Sequence, residues 1–99
     1  MPGELQTTSA AEKIQAMRRM LQQLVEAGTL RRSWSQPLEN LLDYAARAIG
    51  EGDTRTAGNL LTVVRRKVVA LEDKGWLPGT AADILIALAD SLMRELPER

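Results

Sequence analysis

The stretch DTRTAGNLLTVVRRKVVALEDKG, residues 53–75, decides the fold class because it carries the clearest helical pattern in the chain. Its apolar residues recur three or four positions apart, which places them on one face of a helix at about 100° per residue. Asp53 is a good N-cap residue, and Gly75 is the residue type that most often ends a helix. We therefore expect a helix between them. Its core stripe is Ala57, Leu60, Leu61, Val64, Val68 and Leu71.

A similar pattern precedes this stretch twice. Ser9 and Glu12 match a capping box, so we expect the first helix to begin at Ser9 and to end at Gly28. A second helix begins near Ser35, with Pro37 in its first turn, where a missing N–H does no harm. We interpret residues 1–8 as a flexible lead-in and residues 9–97 as one domain. The two core stripes are Ala10, Ile14, Met17, Leu21, Leu24 and Val25, and then Leu38, Leu41, Leu42, Ala45 and Ile49.

A fourth helix follows Gly75. Thr80 and Asp83 resemble a capping pair, which predicts a start at Thr80, and Pro97 follows the predicted end. The core stripe expected for this helix is Ile84, Leu85, Leu88, Leu92 and Leu96.

The chain also repeats itself at a spacing of 47 residues. The aligned pairs are Arg18/Arg65, Leu24/Leu71, Gly28/Gly75, Leu30/Leu77, Leu38/Leu85, Asp43/Asp90 and Arg47/Arg94. Each unit is a helical hairpin that cannot bury its apolar stripe alone. We therefore expect an all-α fold, a four-helix bundle made of two related αα-hairpins.

Composition restricts the chemistry of this 99-residue chain, which contains no Cys and no His. Zinc sites, haem ligation and catalytic triads depend on these two residues, so we expect no cofactor, no metal site and no enzyme activity. The 13 basic and 13 acidic residues balance, which argues against non-specific nucleic-acid binding. We expect neither a membrane-spanning segment nor a signal peptide in the sequence.

The helical region resembles a known family. The pattern runs from Gly28 to Leu30, through Leu38 to Ala45 and the Gly52-Asp53 turn, to Ala57–Leu61, Val68–Leu77 and Ala81–Leu92. It is similar to FIMAH-type helical modules near the C-terminus of large secreted enzymes and surface proteins of Gram-positive bacteria. The resemblance covers roughly residues 14–96. It implies a bacterial, extracellular, non-catalytic accessory module, whereas a free-standing protein would be cytoplasmic. It transfers no site residue.

Two groups of charged residues could have a functional role, the basic ones in binding and the acidic ones in catalysis. The basic candidates for an anionic ligand, either nucleic acid or an acidic polymer, are Arg18, Arg19, Arg65, Arg66 and Lys67. The alternative interpretation is a solvated face balanced by nearby acids. Asp43 and Asp90 lie four residues before Arg47 and Arg94, a spacing typical of surface ion pairs and not of acid–base catalysis.

Trp34 and Trp76 lie beside the two hairpin loops. They are either stacking platforms for a sugar or base, or plugs that close one end of the bundle beside Leu30 and Leu77. Their similar placement in both hairpins favours the packing role.

A second apolar band is predicted on the fourth helix, opposite its main stripe, with a counterpart on the third. A helix that is apolar on most sides is buried or forms an interface. The candidate protein-interface residues are Ile86, Met93, Val69, Ala82 and Ala89. We therefore expect a protein partner or a homodimer, with an anionic ligand as the alternative.

Overall fold

The computed structural model describes the backbone of residues 2–96 and the side chains of residues 10–96. It contains four helices, α1 (Pro2–Glu26), α2 (Arg32–Gly50), α3 (Thr54–Asp73) and α4 (Gly79–Glu95). No strand occurs among the described residues, and the predicted all-α bundle of two helical hairpins is confirmed. Pro97, expected to follow the last helix, lies outside the described residues.

The helices form a ring in which each contacts its two neighbours. Helix α1 packs on α2 and α4, and α3 packs on the same two helices. Within the described part of the chain, no Cα atoms of the diagonal pairs α1–α3 and α2–α4 lie within 8 Å of each other, so these helices meet only through core side chains. Because sequential helices are antiparallel, the α1–α2 and α3–α4 loops lie at one end of the bundle.

The two hairpins contribute equivalent residues to the core, as the repeat predicts. The repeat pairs Leu30/Leu77 and Leu38/Leu85 are almost fully buried. Leu30 and Leu77 close the loop end of the bundle, while the other pair fills its middle. Each loop begins at a glycine with a left-handed backbone, φ 77° at both Gly28 and Gly75. The matching φ shows that the two hairpins end their first helix in the same way.

Three predicted helix starts are wrong. Helix α1 begins at Pro2, which is tolerated at a first helical position, so Ser9 lies inside the helix and is not its cap. Helix α2 begins at Arg32, because the Arg31 carbonyl accepts the first hydrogen bonds of the helix, and Pro37 consequently lies beyond the first turn. Whether residues 1–8 are flexible stays a prediction.

Helix α4 begins at Gly79, so the cap predicted at Thr80 is also wrong. The extended backbone of Pro78 lets its carbonyl accept the first helical bond, from the Ala82 N–H. Helix α3 is the contrasting case, because the predicted N-cap is confirmed there. The Asp53 carboxylate accepts a hydrogen bond from the Thr56 N–H at 3.2 Å.

The buried face of α4 is rotated around the helix axis relative to the predicted core stripe. Ala82 and Ala89, expected on an outer band, are fully buried, whereas Ile84, expected in the core, is 48% exposed. The buried arc is centred about 120° around the helix from Ile84. The physical reason is that α4 packs against α1 and α3 at once, so the buried arc is wide and small alanines occupy part of it.

Candidate ligand-binding groove

An open groove lies between the first turns of α2 and the last turns of α3, at the loop end of the bundle. Its volume is about 210 Å³. Most of its surface is apolar, because Trp34, Pro37 and Leu38 form one wall and Leu71 the other. The lining residues are Ser33, Trp34, Pro37, Leu38, Lys67, Ala70, Leu71 and Lys74.

Two lysines border this groove on the α3 side. Lys67 is on α3 and Lys74 is the C-cap residue of that helix, two turns further along the same face, with Ala70 and Leu71 between them. The helical rise places the two Cα atoms about 10 Å apart. Both lysines are exposed, and neither forms an ion pair with an acid among residues 10–96. An apolar surface flanked by two cations suits a ligand that combines an apolar group with negative charge.

A pair of stacked tryptophans lies at one end of the groove. The rings of Trp34 and Trp76 stack with centroids 4.0 Å apart and an interplanar angle of 11°. The Arg31 Cζ atom lies 5.2 Å from the centroid of the Trp34 ring, and the Lys74 Nζ atom lies 4.8 Å from the centroid of the Trp76 ring. Since the inner faces cover each other, the cations cover the outer faces. A sugar or base would have to displace a cation to stack, so the geometry favours the packing interpretation.

The two lysines and the tryptophan of the groove have no counterpart in the other hairpin. At the positions 47 residues earlier, Met20 corresponds to Lys67 and Ala27 to Lys74. On the other wall, Ala81 corresponds to Trp34. The core leucines, in contrast, are kept in both hairpins. Because the first hairpin has neither lysine at the equivalent positions, the repeated fold does not itself require Lys67 and Lys74.

The basic candidates are not assembled into one surface. Arg18 and Arg19 are on α1 and the other three are on α3, and these two helices are diagonal to each other in the bundle. Arg65 Nε lies 3.0 Å from Asp90 Oδ1, and Arg18 lies 3.9 Å from Asp43. Arg18 and Asp43 are the repeat equivalents of Arg65 and Asp90, so the two ion pairs occupy equivalent positions in the two hairpins.

The remaining basic candidates divide by position. Arg19 and Arg66 are exposed, and Lys67 belongs to the groove. Asp43 also lies 3.4 Å from Arg47, which confirms the predicted ion pair within α2.

The candidate protein-interface residues also divide. Ala82 and Ala89 are in the core, so they cannot contact a partner and that prediction is wrong. Ile86 and Met93 are half-buried against the core, and the Thr62 hydroxyl is 3.5 Å from the Met93 sulfur. Val69 is half-buried outside the core cluster. The band predicted on α4 is therefore mostly an internal surface.

A second, polar cavity of about 240 Å³ lies between the end of α1 and the start of α2. Glu26 and Glu39 line it together with Arg32, so the charges of this cavity are mixed. Glu39 is further engaged by the buried Ser35, whose hydroxyl donates a hydrogen bond of 2.8 Å to the Glu39 carboxylate. The mixed charge and the internal hydrogen bond make this cavity a weaker candidate than the groove.

Neither a cluster of metal-ligating side chains nor a helix able to span a membrane occurs in the described residues. No group of three or more acidic residues there is arranged to hold a metal ion. No helix in that part of the chain is long and apolar enough to cross a membrane.

The fold and the groove define a small all-helical module built from two related hairpins. The FIMAH domain family matches residues 14–94, which covers most of the chain. The chain therefore belongs to the FIMAH domain family, as its sequence pattern indicates. No similar protein was found among curated sequences, and none among solved structures.

Proposed function

We propose that this chain is a non-catalytic accessory module that binds a protein partner through the groove between α2 and α3. One observation carries the proposal, namely an apolar groove flanked by Lys67 and Lys74 without an internal acidic partner. Protein interfaces commonly place an apolar anchor in a pocket and surround it with polar groups.

The size of the groove supports a protein partner over a cofactor. Small-molecule and cofactor sites usually measure roughly 300–1,000 Å³. The groove of about 210 Å³ is smaller and open to one side. It therefore suits one or two side chains of another protein.

A peptide-display selection tests this function, because a random library presents many candidate segments to the groove at once. The library is selected on the parent domain, and each enriched peptide is then titrated against two variants. Ala70→Glu places a carboxylate in the groove, and Ala87→Glu makes the same change on the outer face of α4. Both alanines are exposed and helical, so the pair is matched.

We expect enriched peptides that lose binding to Ala70→Glu and keep binding to Ala87→Glu. The opposite pattern would move the interface to the outer face of α4, where Ile84 is exposed. Failure to enrich any peptide above the unselected library would count against a peptide-binding function. Circular dichroism and thermal unfolding verify that both variants keep the parent fold.

A further inference from the structure

We infer that the groove recognises a chain segment in which one apolar side chain lies between two carboxylates. This inference rests on the proposed function and specifies its ligand. The charges at the groove indicate an acidic ligand. Lys67 and Lys74 border the groove, and the remaining lysine, Lys13, is engaged by Glu95 and Ser91 at the other end of the bundle. Neither Lys67 nor Lys74 has an ion-pair partner among residues 10–96, and Lys74 Nζ lies 4.8 Å from the Trp76 ring centroid. Two cations without acidic neighbours beside an apolar surface are complementary to acidic groups on the partner.

The spacing of the two lysines determines the spacing of the acidic groups. Ala70 and Leu71 lie between the lysines on the same face of α3, so the cations border the apolar surface at both ends. In an extended segment, alternate side chains point to the same side. Residues i and i+4 of such a ligand are then about 13 Å apart. The Cα atoms of Lys67 and Lys74 are about 10 Å apart, and the long lysine side chains can cover the difference. An acidic residue, an apolar residue and a second acidic residue at alternate positions therefore match the groove.

The tryptophan stack lies at one end of the groove. Trp34 contributes to the wall and is held by its stack on Trp76, while Lys74 lies over the second ring. The stack restricts Trp34 and so keeps one wall of the groove in place before a ligand arrives. Pre-organisation of this kind reduces the entropy lost on binding. The apolar anchor is then expected to contact Trp34 and Leu71.

Two synthetic peptides test the inference. One is acetyl-Asp-Ala-Leu-Ala-Asp-amide, and the other replaces both acidic residues by Asn. Each is titrated into the ¹⁵N-labelled domain and followed by amide chemical shifts. We expect the acidic peptide to change the amide chemical shifts of the groove residues Lys67, Ala70, Leu71 and Lys74. We expect the Asn peptide to bind about fivefold more weakly, since two exposed ion pairs each contribute modestly. Raising the salt to about 0.5 M should remove most of this difference by screening.

The double variant Lys67→Gln/Lys74→Gln provides a second measurement that does not depend on the peptide change. It should bind both peptides with equal affinity. Equal affinity of the parent for the two peptides would overturn the acidic requirement and leave the proposed function standing. Shifts confined to another surface, or no shifts with either peptide, would overturn the inferred site, while the display selection separately decides the function. Preferential binding of oligogalacturonate at the groove would also overturn it, because that polymer supplies carboxylates without an apolar side chain.

Discussion

Trp34 and Trp76 stack with their ring centroids 4.0 Å apart, although the two residues are not equivalent positions of the repeat. Trp34 is in the first turn of α2, and Trp76 is in the α3–α4 loop. The stack therefore joins one hairpin to the other at the loop end. It also holds one wall of the groove.

The stack should be measurable as a coupling energy. A double-mutant cycle on Trp34→Ala and Trp76→Ala should give about 0.5–1.5 kcal/mol of coupling in the free energy of unfolding. Trp34→Ala should cost more than Trp76→Ala, because Trp34 packs on the core whereas Trp76 is 39% exposed. Urea denaturation provides the measurement. Tyr44→Ala is the control, since Tyr44 is an exposed ring at 55%. Strictly additive costs would contradict a stabilising stack.

The repeat-related ion pairs should differ in strength. Arg65 and Asp90 are separated by 3.0 Å, and Arg18 and Asp43 by 3.9 Å. All four side chains are 32–44% exposed, so each pair should contribute about 0.2–1 kcal/mol. Double-mutant cycles with alanine should give the larger coupling for the shorter pair, and both couplings should fall in high salt. Couplings that salt leaves unchanged would argue against this assignment.

Two glycines should respond to alanine in opposite directions. Gly75 has φ 77°, so Gly75→Ala should lower the free energy of unfolding by about 1–2 kcal/mol. Gly58 is inside α3, and a Cβ there would meet no atom within 4 Å. Gly58→Ala should therefore raise the free energy of unfolding by about 0.5–1 kcal/mol. Thermal or urea unfolding measures both. Equal destabilisation by the two substitutions would be inconsistent with the described backbone.

The cap of α3 predicts a pH dependence. Hydrogen bonds from the Thr56 side chain and backbone N–H lower the pKa of Asp53 below its ordinary value of 3.8. A lowered folded-state pKa means that the carboxylate stabilises the fold above pH 3.8 and that this contribution is lost as the pH falls through the folded-state pKa.

Asp53→Asn keeps a capping side chain but removes the titration. The difference in free energy of unfolding between the parent and this variant should therefore shrink as the pH falls below 3.8. Urea denaturation over an acidic pH series measures it. A difference that stays constant with pH would show that the carboxylate charge contributes nothing to the cap.

The sequence predicts the fold well because helical periodicity and the repeat are strong local signals. The cap at Asp53 and the helix end at Gly75 are predictable from the sequence, since both act within one or two turns. The rotation of the buried face of α4 is not predictable in this way. Ala82 and Ala89 are as compatible with a surface as with a core, and only packing against two neighbouring helices buries them.

The groove is not evident from the sequence for a related reason. The run of basic residues groups Lys67 with Arg65 and Arg66, whose side chains point to other sides of α3. The spacing of Lys67, Ala70, Leu71 and Lys74 is a usable signal, because positions i, i+3, i+4 and i+7 share one helix face. The other wall, on α2, depends on tertiary packing and has no counterpart in the local pattern.

A charge-swap measurement tests whether Lys67 and Lys74 recognise acidic groups on the ligand. The acidic peptide and a second version with both Asp residues replaced by Lys are titrated against the parent, Lys67→Glu/Lys74→Glu and Arg19→Glu/Arg66→Glu. The two variants change the net charge equally, and Arg19 and Arg66 are exposed outside the groove. We predict that Lys67→Glu/Lys74→Glu rejects the acidic peptide and binds the basic one, while Arg19→Glu/Arg66→Glu behaves like the parent. Loss of acidic-peptide binding in the arginine variant, with the lysine variant unaffected, would show that the groove lysines do not recognise the acidic groups.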